Sequence, residues 1–394
     1  MDEGETGEID SVERSDFWKV VDQCYLCDVC YLTKCPYVPP HEWNVDFPHT
    51  MLRAKAIQFK KGTKTKYRDK ILSNTSTNGK LASIPVVVKA TNLMINNKLS
   101  RKLGDSLFGV HKDAWLPTFA EKTFDKASLK SQKFPVINGK KSLGKVAIYS
   151  TCFVNWNEPN IGHSLIKILV QNEISFVVVD KQTCCGMPKL ELGDLESVAE
   201  LKKKNIPQLA KLASEGFAIL SPIPSCTLMF KQELPLMFPD DEDVKLVQRS
   251  MFDPFEYLQL RRKDSLLNTE FKRSLGNVSY HMSCHLRVQN VGQKTREILE
   301  MVPNSSVNTV ERCSGHAGTW GVKKEFHKTA MKIGKPVFRK MKNHPKSNDT
   351  SFITIASDCQ LASHHIDQGI VNEFPDTETF VKHPLELLAK AYGH

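Results

Sequence analysis

The sequence lacks any long hydrophobic run. Its most apolar stretches, such as ISFVVVD from Ile174 to Asp180, fall far short of the roughly 18 apolar residues that indicate a membrane-spanning helix. The N-terminal segment MDEGETGEID is acidic and has no apolar stretch of the kind that a secretory signal requires. No flavin or nicotinamide fingerprint is visible. These absences predict a cytoplasmic chain with no flavin or NAD site of its own.

Cysteine is scarce overall but clustered. The chain has 11 cysteines among 394 residues, which is too few for a disulfide scaffold, and an odd number cannot pair completely. In a reducing compartment, clustered cysteines indicate metal ligands or redox groups rather than disulfides. The length predicts about two to three domains, and 40% hydrophobic with 25% charged residues is typical of a globular protein.

Four cysteines form a run near the N-terminus. Cys24, Cys27, Cys30 and Cys35, followed by Pro36, read C-x2-C-x2-C-x4-C-P, one residue longer than the bacterial ferredoxin run. A structural zinc site would more often show two C-x2-C pairs separated by a longer loop. The run therefore predicts a [4Fe–4S] cluster, with a zinc site and chance clustering as the alternatives.

The remaining seven cysteines fall into a repeat. The first copy has Cys152, Cys184-Cys185-Gly186 and Cys226, and the second has Cys284, Cys313-Ser314-Gly315 and Cys359. The three anchors are displaced by 132, 129 and 133 residues. Similarity at a nearly constant period indicates a duplicated module. The flanking segments also match, GKVAIYSTC with GNVSYHMSC and FAILSPIPSC with FITIASDC.

These flanking segments are short, apolar and rich in β-forming residues, so they predict buried strands that end at a cysteine. Helical patterns at 161–172, 195–216 and 322–342 alternate with them. The alternation predicts parallel α/β sheets, whose ligands gather at the carboxyl ends of the strands. Residues before the repeat show helical spacing at 15–23, 47–59 and 84–107.

The predicted organisation has an N-terminal helical part followed by two α/β modules. The domains are a helical ferredoxin-like 4Fe–4S domain at 1–120, a basic connector at 121–143, a first Cys-Cys-Gly module at 144–264, and a second, degenerate Cys-Ser-Gly module at 265–394.

A ferredoxin-type run combined with a duplicated Cys-Cys-Gly module resembles a known family. The similarity covers essentially the whole chain and is carried mainly by VDQCYLCDVCYLTKCPYVPPHEWNVDFPHTMLRAKA, PSCTLMFKQELP and ERCSGHAGTWGVKKEF. The sequence resembles the iron–sulfur C subunit of anaerobic glycerol-3-phosphate dehydrogenase and the Cys-Cys-Gly domains of the B subunit of heterodisulfide reductase and of lactate-utilisation proteins. The resemblance implies an iron–sulfur subunit that relays electrons between a partner dehydrogenase or redox protein and an acceptor such as quinone. A heterodisulfide-reductase-like catalytic subunit is the alternative within this family.

The sequence departs from the family's C…C-C-G…C-x2-C module. Met229 and Ala362 stand at the last cysteine position of the two repeats, and Ser314 replaces one cysteine of the second repeat. We expect the first module to bind an iron–sulfur cluster through its four thiols, because four thiolates suffice for a [4Fe–4S] cluster. The alternatives are a redox pair at Cys184–Cys185 and a buried remnant.

The second module keeps only three thiols, Cys284, Cys313 and Cys359. An imidazole from His285, His316 or His364 would complete a mixed Cys/His cluster, since histidine replaces cysteine on iron in Rieske centres. The alternative is a degenerate site with ordinary buried histidines.

The N-terminal run stands alone, whereas the resemblance implies two such runs. In two-cluster ferredoxins the fourth cysteine of a run ligates the other cluster, so Cys35 would serve a cluster whose own run is missing. We therefore expect an N-terminally shortened version of a longer protein. In the alternative, Cys35 closes a self-contained site.

The net charge of +10 is concentrated in two lysine-rich stretches. A basic surface suits an acidic redox partner or anionic lipid on the inner face of the cytoplasmic membrane, and the alternative is a solvated loop and linker. No nucleic-acid-binding motif accompanies the lysines, so no nucleic-acid partner is expected. A contrasting class remains, a non-catalytic zinc or structural-metal protein that binds an acidic partner or nucleic acid. The stretches comprise Lys60, Lys61, Lys64, Lys66, Arg68 and Lys70, and then Lys122, Lys126, Lys130, Lys133, Lys140, Lys141 and Lys145.

Overall fold

Helices make up the N-terminal part of the chain. A computed structural model describes residues 6, 8–30, 35–38, 40–62, 65–344 and 352–394. After a short 3-10 turn at Ile9–Ser11, the helices are α1 (Arg14–Gln23), α2 (Phe47–Lys61), α3 (Tyr67–Ser73), α4 (Thr75–Ala82), α5 (Pro85–Asn96) and α6 (Lys98–Phe108). None of the helices in these described residues is both long enough and apolar enough to cross a membrane. The helical character is thus as expected, while the ferredoxin-like assignment stays a prediction.

The prediction of one continuous helix over 84–107 is wrong at Asn97. This residue is extended (φ −86°, ψ 124°) and separates α5 from α6. Its side-chain oxygen accepts hydrogen bonds from the backbone amides of Leu99 and Ser100. An asparagine that caps the next helix in this way ends the preceding one, although the apolar spacing continues across the break.

The first α/β module is built on a five-stranded sheet. Its elements are α7 (Phe124–Ala127), β1 (Ser131–Gln132), β2 (Lys145–Ile148), α8 (Thr151–Trp156), α9 (Pro159–Gln171), β3 (Ser175–Val178), α10 (Met187–Leu192), α11 (Leu195–Ser214), β4 (Ala218–Leu220), α12 (Pro224–Leu228), a π-turn at Met229–Glu233, α13 (Leu234–Met237), α14 (Glu242–Ser250), β5 (Met251–Phe252) and α15 (Pro254–Lys263). The strand order is β1-β3-β2-β4-β5, and all pairs are parallel except β1 with β3. Because α7 and β1 lie within 121–143, the expected connector contributes an edge strand to this sheet.

The second module repeats this topology. Its elements are β6 (Gly276–His281), α16 (Cys284–Arg287), α17 (Lys294–Leu299), β7 (Ser305–Val310), α18 (His327–Lys342), β8 (Phe352–Ser357), α19 (Gln360–Glu373), β9 (Glu378–Lys382) and α20 (Pro384–Ala391). The order β7-β6-β8-β9 is parallel throughout and matches β3-β2-β4-β5 strand for strand. The predicted parallel α/β architecture and its duplication are therefore present.

The two modules share one hydrophobic core. Ile148 and Leu165 of the first module belong to the same buried cluster as Tyr280 and Leu388 of the second. Burial of the apolar surface between the modules stabilises both of them, by about 25 cal/mol for each Å² buried. This packing therefore fixes the position of one sheet, and of the cysteines at its edge, relative to the other.

Part of the first basic stretch is structural. Arg68 is 8% exposed and donates to both carboxylate oxygens of Glu325, at 2.9 and 2.8 Å, which joins α3 to the second module. Lys66 donates to the same carboxylate at 3.0 Å. Lys64 lies outside the described residues. The solvated-loop interpretation is therefore wrong for Arg68.

Candidate metal centres

Cysteines of the first module collect at one edge of its sheet. Cys152 lies on α8 directly after β2, Cys184 and Cys185 lie in the loop after β3, and Cys226 lies on α12 after β4. These three strands are adjacent and parallel, so their carboxyl ends bring the thiols together. Cys184, Cys185 and Cys226 are 3 to 5% exposed. The sequence placed all four thiols at strand ends, and the structure has them there.

The sulfur atoms of this module contact one another. The thiols of Cys152 and Cys185 donate to the sulfur of Cys184, which lowers the pKa of Cys184 well below its usual range and raises the pKa of both donors. The backbone amide of Gly186 also donates to Cys184, at 3.5 Å. Cys185 in turn contacts Cys226. The lowered pKa of Cys184 favours its thiolate, the form that binds metal.

The backbone conformation requires the glycine that follows the cysteines in each repeat. Gly186 has φ +105° and Gly315 has φ +84°, a left-handed conformation that side chains rarely adopt. A Cβ on Gly186 would find its nearest neighbour, the Met229 methyl group, at 3.5 Å. A Cβ on Gly315 would lie 2.1 Å from the carbonyl oxygen of Ala330. Both repeats thus require glycine, and only the second also lacks space for a side chain.

An apolar cavity of about 370 Å³ adjoins the first thiol set. Its wall includes Glu191, whose pKa burial raises to about 7, and His316, whose buried Nε2 atom has no hydrogen-bond partner among the described residues. Sequence reasoning missed this cavity because its wall is assembled from segments far apart in the chain. Besides the four cysteines, the lining residues include Trp115, Phe119, Phe153 and Trp156.

Thiols of the second module occupy the equivalent sheet edge. Cys284 begins α16 after β6, Cys313 follows β7, and Cys359 precedes α19 after β8. Burial raises the pKa of Cys284 well above its usual range and that of Cys359 to about 11. Cys313 and Cys359 both lie close enough to Cys284 to raise its pKa further.

The histidines expected to complete the second site are mostly occupied. His285 donates from Nε2 to the carbonyl oxygen of Leu26 at 3.0 Å, and its Nδ1 accepts from Ser225 at 2.8 Å. His364 contacts Glu158 at 3.0 Å. His316 faces the cavity beside the first thiol set. The structure therefore leaves neither ring nitrogen of His285 for a metal ion.

Cysteines of the N-terminal run have contacts both within the run and with other parts of the chain. Cys24 ends α1, and its carbonyl oxygen accepts from the ammonium group of Lys55. The amide of Cys35 donates to the carbonyl of Cys30 at 3.0 Å, but residues 31–34 between them are outside the described part. Cys27 lies near Cys30 and also near Cys313 of the second module. The expected cluster on these four cysteines stays a prediction.

Within the described residues, no three His, Cys, Asp or Glu side chains lie close enough to hold a single metal ion. The thiolates of a [4Fe–4S] cluster bind separate iron atoms, so cluster ligands stand farther apart than the ligands of one zinc ion. The geometry that one metal ion requires is therefore not a requirement for a cluster on these thiols.

Comparisons with known proteins match both repeats. The cysteine-rich domain model matches residues 146–231 and 278–362, which fall within the two α/β modules. The chain is 25% identical over 340 residues to the C subunit of the anaerobic glycerol-3-phosphate dehydrogenase of Escherichia coli (strain K12), covering 84% of this chain and 78% of that protein.

Two further relatives are similar over shorter stretches. Identity to the B subunit of the fumarate reductase (CoM/CoB) of Methanothermobacter marburgensis is 29% over 261 residues, covering 65% of this chain and 48% of that protein. Identity to the lactate utilization protein A of Bacillus cytotoxicus is 30% over 184 residues, covering 45% of this chain and 75% of that protein.

Proposed function

We propose, from the premise that this chain belongs to the cysteine-rich domain family and carries the domain twice, that it is an iron–sulfur electron-transfer subunit of an oxidoreductase. It relays electrons between a partner redox protein or dehydrogenase subunit and an acceptor such as quinone. The observation that carries this proposal is the convergence of Cys152, Cys184, Cys185 and Cys226 at one buried sheet edge. The names of the relatives, which are subunits of oxidoreductases, agree with such a role.

The donor set of the first module fits an iron–sulfur cluster. Four thiols gathered at one sheet edge supply the ligands that a [4Fe–4S] cluster needs, and the lowered pKa of Cys184 favours its thiolate. When bound, such a cluster supplies one-electron transfer. The chain's own residues hold the thiols in place through the parallel strands and exclude water through burial.

The adjoining cavity supports reduction of an organic acceptor beside this site. Its volume of about 370 Å³ lies within the range of small-molecule pockets. Aromatic side chains such as Trp115, Phe119 and Trp156 line it and offer flat apolar contacts for a ring such as that of a quinone. The buried thiols share this wall, so electrons would have a short path to a ligand held there.

A second surface supports contact with a membrane. Helices α5 and α6 expose apolar side chains, including Leu93, Leu99 and Leu103, which are 59 to 77% exposed. These three leucines line a shallow groove, and Lys102 lies in the same groove. An exposed apolar patch with neighbouring cations is typical of a peripheral lipid-binding surface, and a chain bound there would meet a membrane-dissolved acceptor.

Metal and sulfide analysis of anaerobically purified protein tests the proposal. The wild type is expected to contain iron and acid-labile sulfide and to give an EPR signal after reduction. The Cys184→Ala variant is expected to lose about four iron atoms per chain, the content of one [4Fe–4S] cluster. Ser314→Ala, at a position beside the second thiol set, is the matched control and is expected to keep the wild-type iron content.

Two results would count against the proposal. Colourless protein with stoichiometric zinc would favour the structural-metal alternative. An unchanged iron content in Cys184→Ala would make the first module a remnant without a cluster.

A further inference from the structure

The second module has no fourth cysteine of its own. It offers the thiols of Cys284, Cys313 and Cys359, while Ser314 and Ala362 stand where further cysteines would be. His285 uses both ring nitrogens in hydrogen bonds. A [4Fe–4S] cluster normally has four cysteine ligands, so a fourth thiolate would have to come from elsewhere in the chain.

A loop of the N-terminal run is docked on this module. The carbonyl oxygen of Leu26 accepts from Nε2 of His285 at 3.0 Å, which joins the chain neighbours of Cys27 and Cys284. The ring of Tyr25 packs against Trp320, with 6.4 Å between the centroids. Leu26 and Tyr25 are 4% and 8% exposed, so this contact is buried.

The backbone on both sides of Cys27 is strained. Leu26 and Asp28 have φ angles of +47° and +52°, a left-handed conformation that costs roughly 1–3 kcal/mol at a residue other than glycine. Buried contacts hold both residues in place. Asp28 is 4% exposed and accepts from Gln232 of the first module at 3.2 Å. Hydrogen bonds to both modules thus hold the loop in place, and Cys27 lies between the two residues that make them.

We propose that Cys27 is the fourth thiolate of an iron–sulfur site in the second module, where it joins Cys284, Cys313 and Cys359. This inference rests on the proposed function, since it requires the chain to bind clusters. It assigns Cys27 to a different site from the one that the spacing of the N-terminal run predicts. The degenerate repeat is completed by a ligand from another part of the same chain.

The proximity of the four thiols agrees with this grouping. Cys284 lies near Cys27 of the N-terminal run as well as near Cys359 and Cys313 of its own module. Cys27 lies near Cys313 of the second module as well as near Cys30 of its own run.

The experiment compares which cluster each cysteine variant loses. Full-length protein is purified anaerobically as wild type, Cys27→Ala, Cys284→Ala, the double variant and Cys24→Ala, with iron, sulfide and EPR measured for each. Cys27→Ala and Cys284→Ala are expected to lose the same EPR signal and about four iron atoms each. The double variant is expected to lose no more than either single variant, and Cys24→Ala, the matched control, to retain that signal.

A conservative variant covers the case in which alanine at position 27 prevents folding. Serine can ligate iron through oxygen, so Cys27→Ser is expected to shift the g values of the signal that Cys284→Ala loses, with an unchanged circular dichroism spectrum. A loss or shift shared with Cys24→Ala instead, or no change in any signal, would overturn the inference and leave the proposed function intact. Wild-type protein without iron would overturn both.

Discussion

His49 is expected to stabilise the fold as a cation at neutral pH. It lies at the start of α2, with Nε2 2.9 Å from Glu233 of the first module and Nδ1 2.8 Å from Asp46. Glu233 is 3% exposed. Because both ring nitrogens face carboxylates, the contact with Glu233 above all raises the pKa of His49 from 6.5 to about 9.

The magnitude follows from proton linkage. Each tenfold change in proton affinity is worth about 1.4 kcal/mol, so the raised pKa of His49 contributes about 3 kcal/mol below pH 6.5 and about 2.5 kcal/mol at pH 7. The side chain is 18% exposed, and solvent screening reduces the value at pH 7 to about 2 kcal/mol. A basic group with a raised pKa stabilises the folded state at low pH. This contribution is lost as the pH rises through about 9.

Urea unfolding of wild type and His49→Gln at pH 7 and pH 10, under reducing conditions, measures this contribution. We expect the variant to be less stable than wild type by about 2 kcal/mol at pH 7 and by less than about 0.5 kcal/mol at pH 10, because only the wild type loses a charge at position 49 in that interval. His41→Gln is the matched control, since His41 packs against Tyr37 and Trp43. A difference between wild type and His49→Gln that is constant or larger at pH 10 would refute the reasoning.

Three further predictions concern the glycine turns, the buried arginine and the exposed helix pair. In urea unfolding, Gly315→Ala is expected to lower the free energy of unfolding by at least about 3 kcal/mol, because its Cβ would overlap a carbonyl oxygen. Gly186→Ala is expected to lower it by about 1–2 kcal/mol, from backbone strain alone. Equal decreases in the two variants would contradict the steric argument. Arg68→Ala is expected to lower the free energy of unfolding by about 1–2 kcal/mol, since Glu325 is partly exposed and the ion pair is partly screened, and an unchanged stability would show that the pair is dispensable. Leu103→Glu is expected to weaken co-sedimentation with anionic lipid vesicles several-fold, and failure of the wild type to bind them would remove the membrane surface from the proposal.

Much of the α/β architecture was predictable because its signals are local. The segments before Cys152 and Cys284 are short apolar runs bounded by turn residues, and they form the central strands β2 and β6. Because the strands are parallel, the cysteines that follow them lie at the same edge of the sheet. The matches to the cysteine-rich domain model and to the relatives confirm the family resemblance that the cysteine pattern indicates.

Features set by a helix cap or by contacts between distant residues were not predictable from apolar spacing. The spacing over 84–107 is helical throughout, yet the side chain of Asn97 caps α6 and ends α5. Arg68 belongs to a lysine-rich stretch, yet Glu325 in the second module binds it in a buried position. The spacing of Cys24, Cys27 and Cys30 concerns only their own loop. It carries no information about the surface on which that loop is docked.

His285 shows how a residue expected to be a ligand has a different role. It follows Cys284, accepts from the residue before Cys226 and donates to the residue before Cys27. Burial lowers its pKa, so the ring is neutral and one nitrogen can accept while the other donates. One imidazole thus joins three segments that each carry a thiol, one from each part of the chain. A metal ion on either nitrogen would break one of these bonds and release a segment, so the imidazole serves the thiol sites by positioning these segments.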